Sequence, residues 1–368
     1  MNKTEQDILY LTGCAMHQTI PNVEGMDLEQ ITKVAMHHTI ASMICMALES
    51  AGVKVNTLID QKNKAIRKVM LLDCERERIF SKMAEAGIWY LPLKGVLLKE
   101  MYPVYGMRQM ADNDILFDST YRKEVKDIFL SMGYEIEVYD KGNHDVYQKA
   151  PIYNYEMHVS LFDKTIPGFL EYYTQLEKRY LSNGFERHMD VNDAYVYIVA
   201  HAYKHFSFSG TGIRTLMDLY MYNEHCKDEL DRDYIQEQCK ILGIQKYEEK
   251  ARGMAYKLFD KPTNDFSNLT QEEIEYVDYY FSNGTYGTAK QRIQNELHRI
   301  ELEGSKHSKA LYLWRRLFPD ASWFRKNYKT LDTLPILIPF YAIIRLIIKP
   351  ILKWNNWTNE LKNVIRIK

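Results

Sequence analysis

Between Tyr153 and Leu161 apolar and polar side chains alternate without a break. Tyr153, Tyr155, Met157, Val159 and Leu161 fall on one face of an extended chain; Asn154, Glu156, His158 and Ser160 fall on the other. A period of two does not fit a helix, so this stretch is a strand with one apolar and one polar face. Most of the remaining pattern is helical. The chain is therefore constrained to a small sheet set among helices.

A second strand, predicted over Ala111 to Phe117, carries Asp112-Asn113-Asp114 ahead of Ile115-Leu116. Carboxylates in D-x-D spacing point the same way, roughly 6.6 Å apart along a strand. That suits two acids converging on divalent cations held about 3.5–4 Å apart. Lys94-Gly95 lies seventeen residues before Asp112, supplying a cation and unshielded backbone for a polyphosphate. Mg2+ is a hard cation that takes carboxylate and phosphate oxygens. Asp112 and Asp114 are the first two candidate ligands, and Glu156, mid-strand on the polar face, is the natural third. Lys94 and Arg108 are the candidate phosphate cations. The combination points to metal-dependent phosphoryl chemistry.

Around this core the chain divides into a helical region over 1–86, an α/β domain over 87–165, a helical domain over 166–303 and a tail over 304–368. In the first, Asp27 and Gln30 resemble a capping box, and Ile31, Val34, Ala35, Ile40, Ile44 and Leu48 follow at helical spacing. A helix over Asn63 to Ala86 ends at Gly87. The α/β domain reads strand (Ile88–Leu91), short helix, strand, helix from Ser119 to Gly133, hairpin (Tyr134–Tyr139 and His144–Gln148), strand. From Phe169 onward the pattern is helical, with helices at Ala194–Phe206, Ile213–Tyr222, Asp233–Leu242 and Glu272–Phe281. Asn283 to Thr288 reads as a loop.

The run LPLKGVLLKEMYPVYGMRQMADNDILFD, with Glu156-Met157-His158 downstream, resembles the uncharacterised nucleotidyltransferases of the polymerase-β-like superfamily. His201-Ala202-Tyr203-Lys204-His205, Arg214 and Asp218 are similar to the first helices of that family's helical region. Gly284 to Gly287 and Leu317-Phe318-Pro319 extend the likeness. The resemblance covers about Asp27 to Leu346 and is sharpest from Leu91 to His158. It implies an α+β fold: a small mixed-sheet nucleotidyltransferase domain embedded between N-terminal and C-terminal α-helical regions. It also implies transfer of a nucleoside monophosphate from an NTP, ATP foremost, to a hydroxyl acceptor with release of pyrophosphate. Two Mg2+ ions, or Mn2+ in their place, would sit on Asp112, Asp114 and Glu156. Lys94, Gly95, Arg108 and His158 would contact the nucleotide, and His201, Lys204, His205 and Asp218 would line the acceptor side. Two departures stand out. Gly95 lies further from the D-x-D than the superfamily's usual phosphate loop, and Asn113 replaces an aliphatic residue, which suggests a less buried back face for that strand.

Each residue also has a plainer reading. Lys94 could be a solvated lysine, Arg108 a partner of a local carboxylate, and His158 a satisfied half-buried histidine or the group that orients Glu156. His201 and His205, at i and i+4, lack an evident third metal ligand and read as structural or cleft-lining. Asp218 could cap, pair with Arg214 or contact the acceptor. A non-catalytic binding protein of the same fold is the alternative from another class, and the intact acid triad argues against it.

Net charge is −1 overall, yet residues 304–368 hold thirteen Lys and Arg against Asp320, Asp332 and Glu360, or 13 − 3 = +10. The rest therefore carries −11. The tail is expected to pack on the acidic body or to meet an anionic partner, with peripheral membrane contact through 334–368 as one form and no sequence-specific nucleic acid. Leu334 to Leu352 is the most apolar stretch, but Arg345, Lys349, Pro339 and Pro350 interrupt it and it falls short of the roughly 20 apolar residues a span needs, so it reads as a docked core helix first and an interfacial membrane helix second. The five scattered cysteines, without a C-x-x-C pair, fit a reducing cytoplasm. Tyr is abundant at 28, and many tyrosines are expected at half-buried positions with a partner for the hydroxyl.

Overall fold

A computed structural model describes residues 1–284, 287–302, 307–319, 321, 324, 331, 334–344, 360, 362–365 and 367. Four helices open the chain: α1 (Lys3–His17), α2 (Leu28–His37), α3 (Ala41–Ser50) and α4 (Asn56–Glu85). The sheet region follows as β1 (Tyr90–Pro92), α5 (Gly95–Leu98), β2 (Asn113–Phe117), α6 (Arg122–Ser131), β3 (Glu135–Val138), β4 (His144–Lys149) and β5 (Tyr153–His158). Then come α7 (Phe169–Leu176), β6 (Leu181–Asn183), β7 (Glu186–His188), α8 (Val191–Phe208), α9 (Arg214–His225), α10 (Arg232–Ile241), α11 (Gln245–Phe259), α12 (Gln271–Asn283), α13 (Ala289–Leu302) and α14 (Ser308–Leu317). The fold is mixed α and β, with helices flanking the sheet on both sides of the sequence.

The sheet has seven strands in the order β3-β4-β5-β2-β1-β7-β6. The pairs β2·β5 and β1·β7 are parallel and the others antiparallel. One face packs on α4 and α6 through Ile79, Phe80, Met83, Ile115, Phe117, Phe129, Tyr147, Tyr155 and Met157. Phe129 stacks on Tyr147 with ring centroids 4.3 Å apart. Such a pair adds about 0.5–1.5 kcal/mol to what burial of each ring already contributes. With this face sealed, the alternate residues of β2 and β5 must look the other way.

Two compact units emerge: Met1–Lys204 with Gly212–Thr285, and His205–Thr211 with Tyr286–Lys368. The sheet lies wholly in the first.

Several expectations need correction. The apolar period from Ile31 to Leu48 is split into α2 and α3 because Thr39 takes φ 52 between them. Asp27 accepts from the amides of Glu29 and Gln30, capping α2 by itself. The helix expected from Asn63 begins at Asn56 and ends as foreseen: Gly87, at φ 72, lets the Ile88 amide turn back to the Met83 carbonyl. The segment after Phe169 is not all helical, since β6 and β7 form a hairpin through Gly184 at φ 62. α11 is a further helix that the sequence reading passed over. Asn113 does not mark an open back face. It is fully buried, and its Oδ1 accepts from Arg76 Nη1 at 3.0 Å. Some tyrosines find partners, but the buried hydroxyls of Tyr147, Tyr173 and Tyr197 have none among the described residues. Thr285, Tyr286 and the Arg345–Leu352 part of the apolar run lie outside the described residues. No helix among the described residues is long and apolar enough to cross a membrane.

Candidate active site

The parallel pairing sets Asp114 opposite Glu156 and Leu116 opposite His158. Opposed residues in neighbouring strands project to the same face, so both acids stand on the side away from α4 and α6. β4 adds His144 directly opposite His158, with ring centroids 5.1 Å apart. Asp114, Glu156 and His158 each bring a ligand atom within 4.8 Å of the others. Asp112, two residues before Asp114 and just ahead of β2, is half-buried at the edge of this cluster.

Lys94 Nζ donates to Asp114 Oδ1 at 2.8 Å, and His158 Nε2 lies 2.9 Å from the same oxygen. A carboxylate only accepts, so the imidazole carries its proton on Nε2 and donates. Burial alone would raise Asp114, but Lys94 and His158 hold its carboxyl well below the usual carboxylate range. Glu156 behaves oppositely: burial, then Asp114 and Asp112, push it up to about 7. Asp112 is raised too, by burial and then by Asp114, against the pull of Lys94, Arg214 and Arg108. Asp114 and Glu156 bring hard oxygen donors to one point, which suits a divalent cation, whereas Asp112 is not among the residues that meet within 4.8 Å. His158, with Nε2 committed to Asp114, orients that acid.

Lys94 sits at φ 38, ψ −103, a conformation strained for a residue with a Cβ. This turn between β1 and α5 is what brings its ammonium back over Asp114, while the Leu93 amide bonds the Asp114 carbonyl at 2.9 Å. Gly95 is packed close: a Cβ there would meet Met110 Cε at 3.0 Å and Arg108 Nη1 at 3.2 Å.

Two residues foreseen in different roles meet each other. Arg108 Nε and Nη2 donate to Asp218 Oδ1 and Oδ2 at 2.7 and 2.9 Å, and Tyr102 adds its hydroxyl at 2.8 Å. All three are buried. Asp218 thus pairs with Arg108, while Arg214 donates to Thr39 Oγ1 and the Gln109 carbonyl. From α8, Lys204 feels Lys94, Asp163, Glu156 and Asp114, though burial is the main cause lowering its pKa. His201 is half-buried with its ring 6.2 Å from that of Tyr197. His205 falls in the second unit, its Nδ1 3.2 Å from Ser209 Oγ.

Sequence reasoning missed His144, Tyr197 and Lys68. His144 Nε2 lies 3.8 Å from Glu156 Oε2, and burial followed by His158 pushes the ring down to about 4. The signal was present in its place at the head of a strand pairing with β5, but only register reveals it. Tyr197 is buried near Asp114 and Glu156, and Lys68 donates from α4 to the Ala111 carbonyl beside Asp112. Helical period offered no cue to either.

No curated protein and no solved structure matches the chain. A family model described as Uncharacterised nucleotidyltransferase matches residues 24–260. That span takes in the whole sheet and every residue of the acidic cluster, and covers more than half of the sequence. The chain belongs to this family of uncharacterised nucleotidyltransferases and is a transferase of phosphorus-containing groups.

Proposed function

We propose that the chain moves a nucleoside monophosphate from an NTP, ATP foremost, to a hydroxyl acceptor and releases pyrophosphate. The observation that carries this reading is the register of Asp114 against Glu156, with Asp112 alongside and a lysine over the acids. Asp112, Asp114 and Glu156 would hold two Mg2+ ions, or Mn2+ in their place. When bound, these would neutralise charge on the triphosphate and acidify the acceptor hydroxyl.

The chain's own groups have distinct tasks. Lys94 and His158 fix Asp114 as an ionised, oriented ligand. Lys94 and Lys204 present ammonium groups to the phosphates. Glu156, on the same sheet face as Asp114, is the carboxylate placed to take the acceptor's proton. The acceptor oxygen bonds to the α-phosphorus, the α–β bridging bond breaks, and its electron pair leaves on pyrophosphate. The buried Arg108–Asp218 pair would position the Gly95 turn, with Arg108 Nη1, which among the described residues meets only Met110 Sδ at 3.5 Å, left as the edge that could reach the nucleotide.

The test is pyrophosphate release from each NTP with Mg2+, together with calorimetric titration of Mg2+ and nucleotide. Asp114→Asn should remove turnover and the Mg2+-dependent part of nucleotide binding while the protein stays folded. Turnover unchanged in Asp114→Asn and Glu156→Gln would overturn the assignment.

A further inference from the structure

We propose that the second unit carries a surface for an anionic lipid bilayer. Helix α14 turns Tyr312 and Leu313 onto Ile293, Leu297, Val364 and Ile367. Its opposite side is left to solvent. Trp314 is 60% and Phe318 41% exposed, with ring centroids 4.3 Å apart, and Arg315 is exposed between them, while Arg316 is paired with Glu360. The same character recurs in the helical residues 338–344, where Phe340, Ile343 and Ile344 share one face and are 63%, 57% and 50% exposed. Ile336, one turn earlier, is 78% exposed. Large apolar side chains exposed together along one helix face mark a contact surface.

The charge selects the occupant. Residues 304–368 carry +10. The same surface of a second copy would bring the same positive charge, and like charges repel. An acidic protein surface would satisfy the Lys and Arg but give nothing to isoleucine and phenylalanine side chains. A nucleic acid would stack on Trp314 yet leave the aliphatic face wet. An interfacial layer of anionic lipid takes both: aliphatic and aromatic groups enter the acyl boundary while basic groups meet the headgroups. α14 also borders a cavity of about 570 Å³ lined by Arg292, Arg315 and Arg316 with Glu296 and Glu360, a net cationic recess. The surface is independent of the acidic cluster, so its failure would leave the proposed chemistry standing.

The experiment is flotation of the full chain with vesicles of phosphatidylcholine alone and with phosphatidylglycerol added. The protein should float with the anionic vesicles at least roughly tenfold more than with the neutral ones, and raising salt to about 0.5 M should release it. Phe340→Glu combined with Ile343→Glu should abolish flotation without changing the thermal melt, because both side chains are exposed. Equal, negligible flotation with both vesicle types would overturn the proposal. So would retention by single-stranded RNA in place of vesicles, or a dimer by gel filtration that the double variant dissociates.

Discussion

Arg108 and Asp218, 110 positions apart, close on each other through a two-pronged ion pair in the interior of the first unit. Removing one partner would strand the other as an uncompensated buried charge. Arg108→Ala or Asp218→Ala should each cost about 3–5 kcal/mol of stability. The double substitution should cost less than the sum, a coupling that urea melts of the four proteins would measure. Additive losses would show that the pair is not a unit.

Glu156 gives the site a pH signature. Its folded-state affinity for a proton, about 7, exceeds the ordinary 4.5. The folded state therefore holds the proton more tightly than the unfolded chain, and stability without divalent cation should fall as pH climbs from 4.5 through 7. The loss approaches about 3 kcal/mol at most. Glu156→Gln should flatten that decline and leave the protein more stable than its parent at pH 8. Denaturant midpoints in chelator across this range provide the check.

Lys94 combines strain with charge. Glycine adopts φ 38, ψ −103 more readily than alanine, so Lys94→Gly should be more stable than Lys94→Ala by about 1 kcal/mol. Both lose the ammonium on Asp114 and should lose nucleotide affinity alike. Paired thermal melts and nucleotide titrations separate the two contributions.

His38 provides a control away from the acids. It is 1% exposed, its Nε2 lies 3.1 Å from the Phe281 carbonyl, and burial followed by His37 lowers its pKa to about 4. Folding keeps the ring neutral. Its contribution is present above about 6.5 and is lost as pH falls from there through 4, by up to about 3 kcal/mol. His38→Gln should shrink that acid loss, as read from urea midpoints between pH 7 and pH 4.

What the sequence exposed is what side-chain direction decides locally. Alternation from Tyr153 placed Glu156 and His158 on one face without knowledge of any neighbour, whereas the strand expected from Ala111 begins only at Asn113 and leaves Asp112 just ahead of it. Features set by partners far along the chain stayed hidden. Asn113 looked like a polar intrusion because Arg76, which satisfies it, comes from α4. Asp218 had three plausible tasks and met a residue from a loop before β2. His144 needed the register of β4 against β5. The β6–β7 hairpin is largely exposed, so it lacks the apolar alternation that announced β5.

The parallel match of Asp114 with Glu156 has a consequence for how the reaction centre persists. Slipping β5 by one position would carry Glu156 inward against Phe129 and Tyr147 and turn Tyr155 out into water. Hydrophobic closure and chemistry therefore fail together. Misthreaded molecules forfeit their interior before they can persist as inactive but well-folded impostors, and every copy that closes its interior has its two strand-borne acids already aligned.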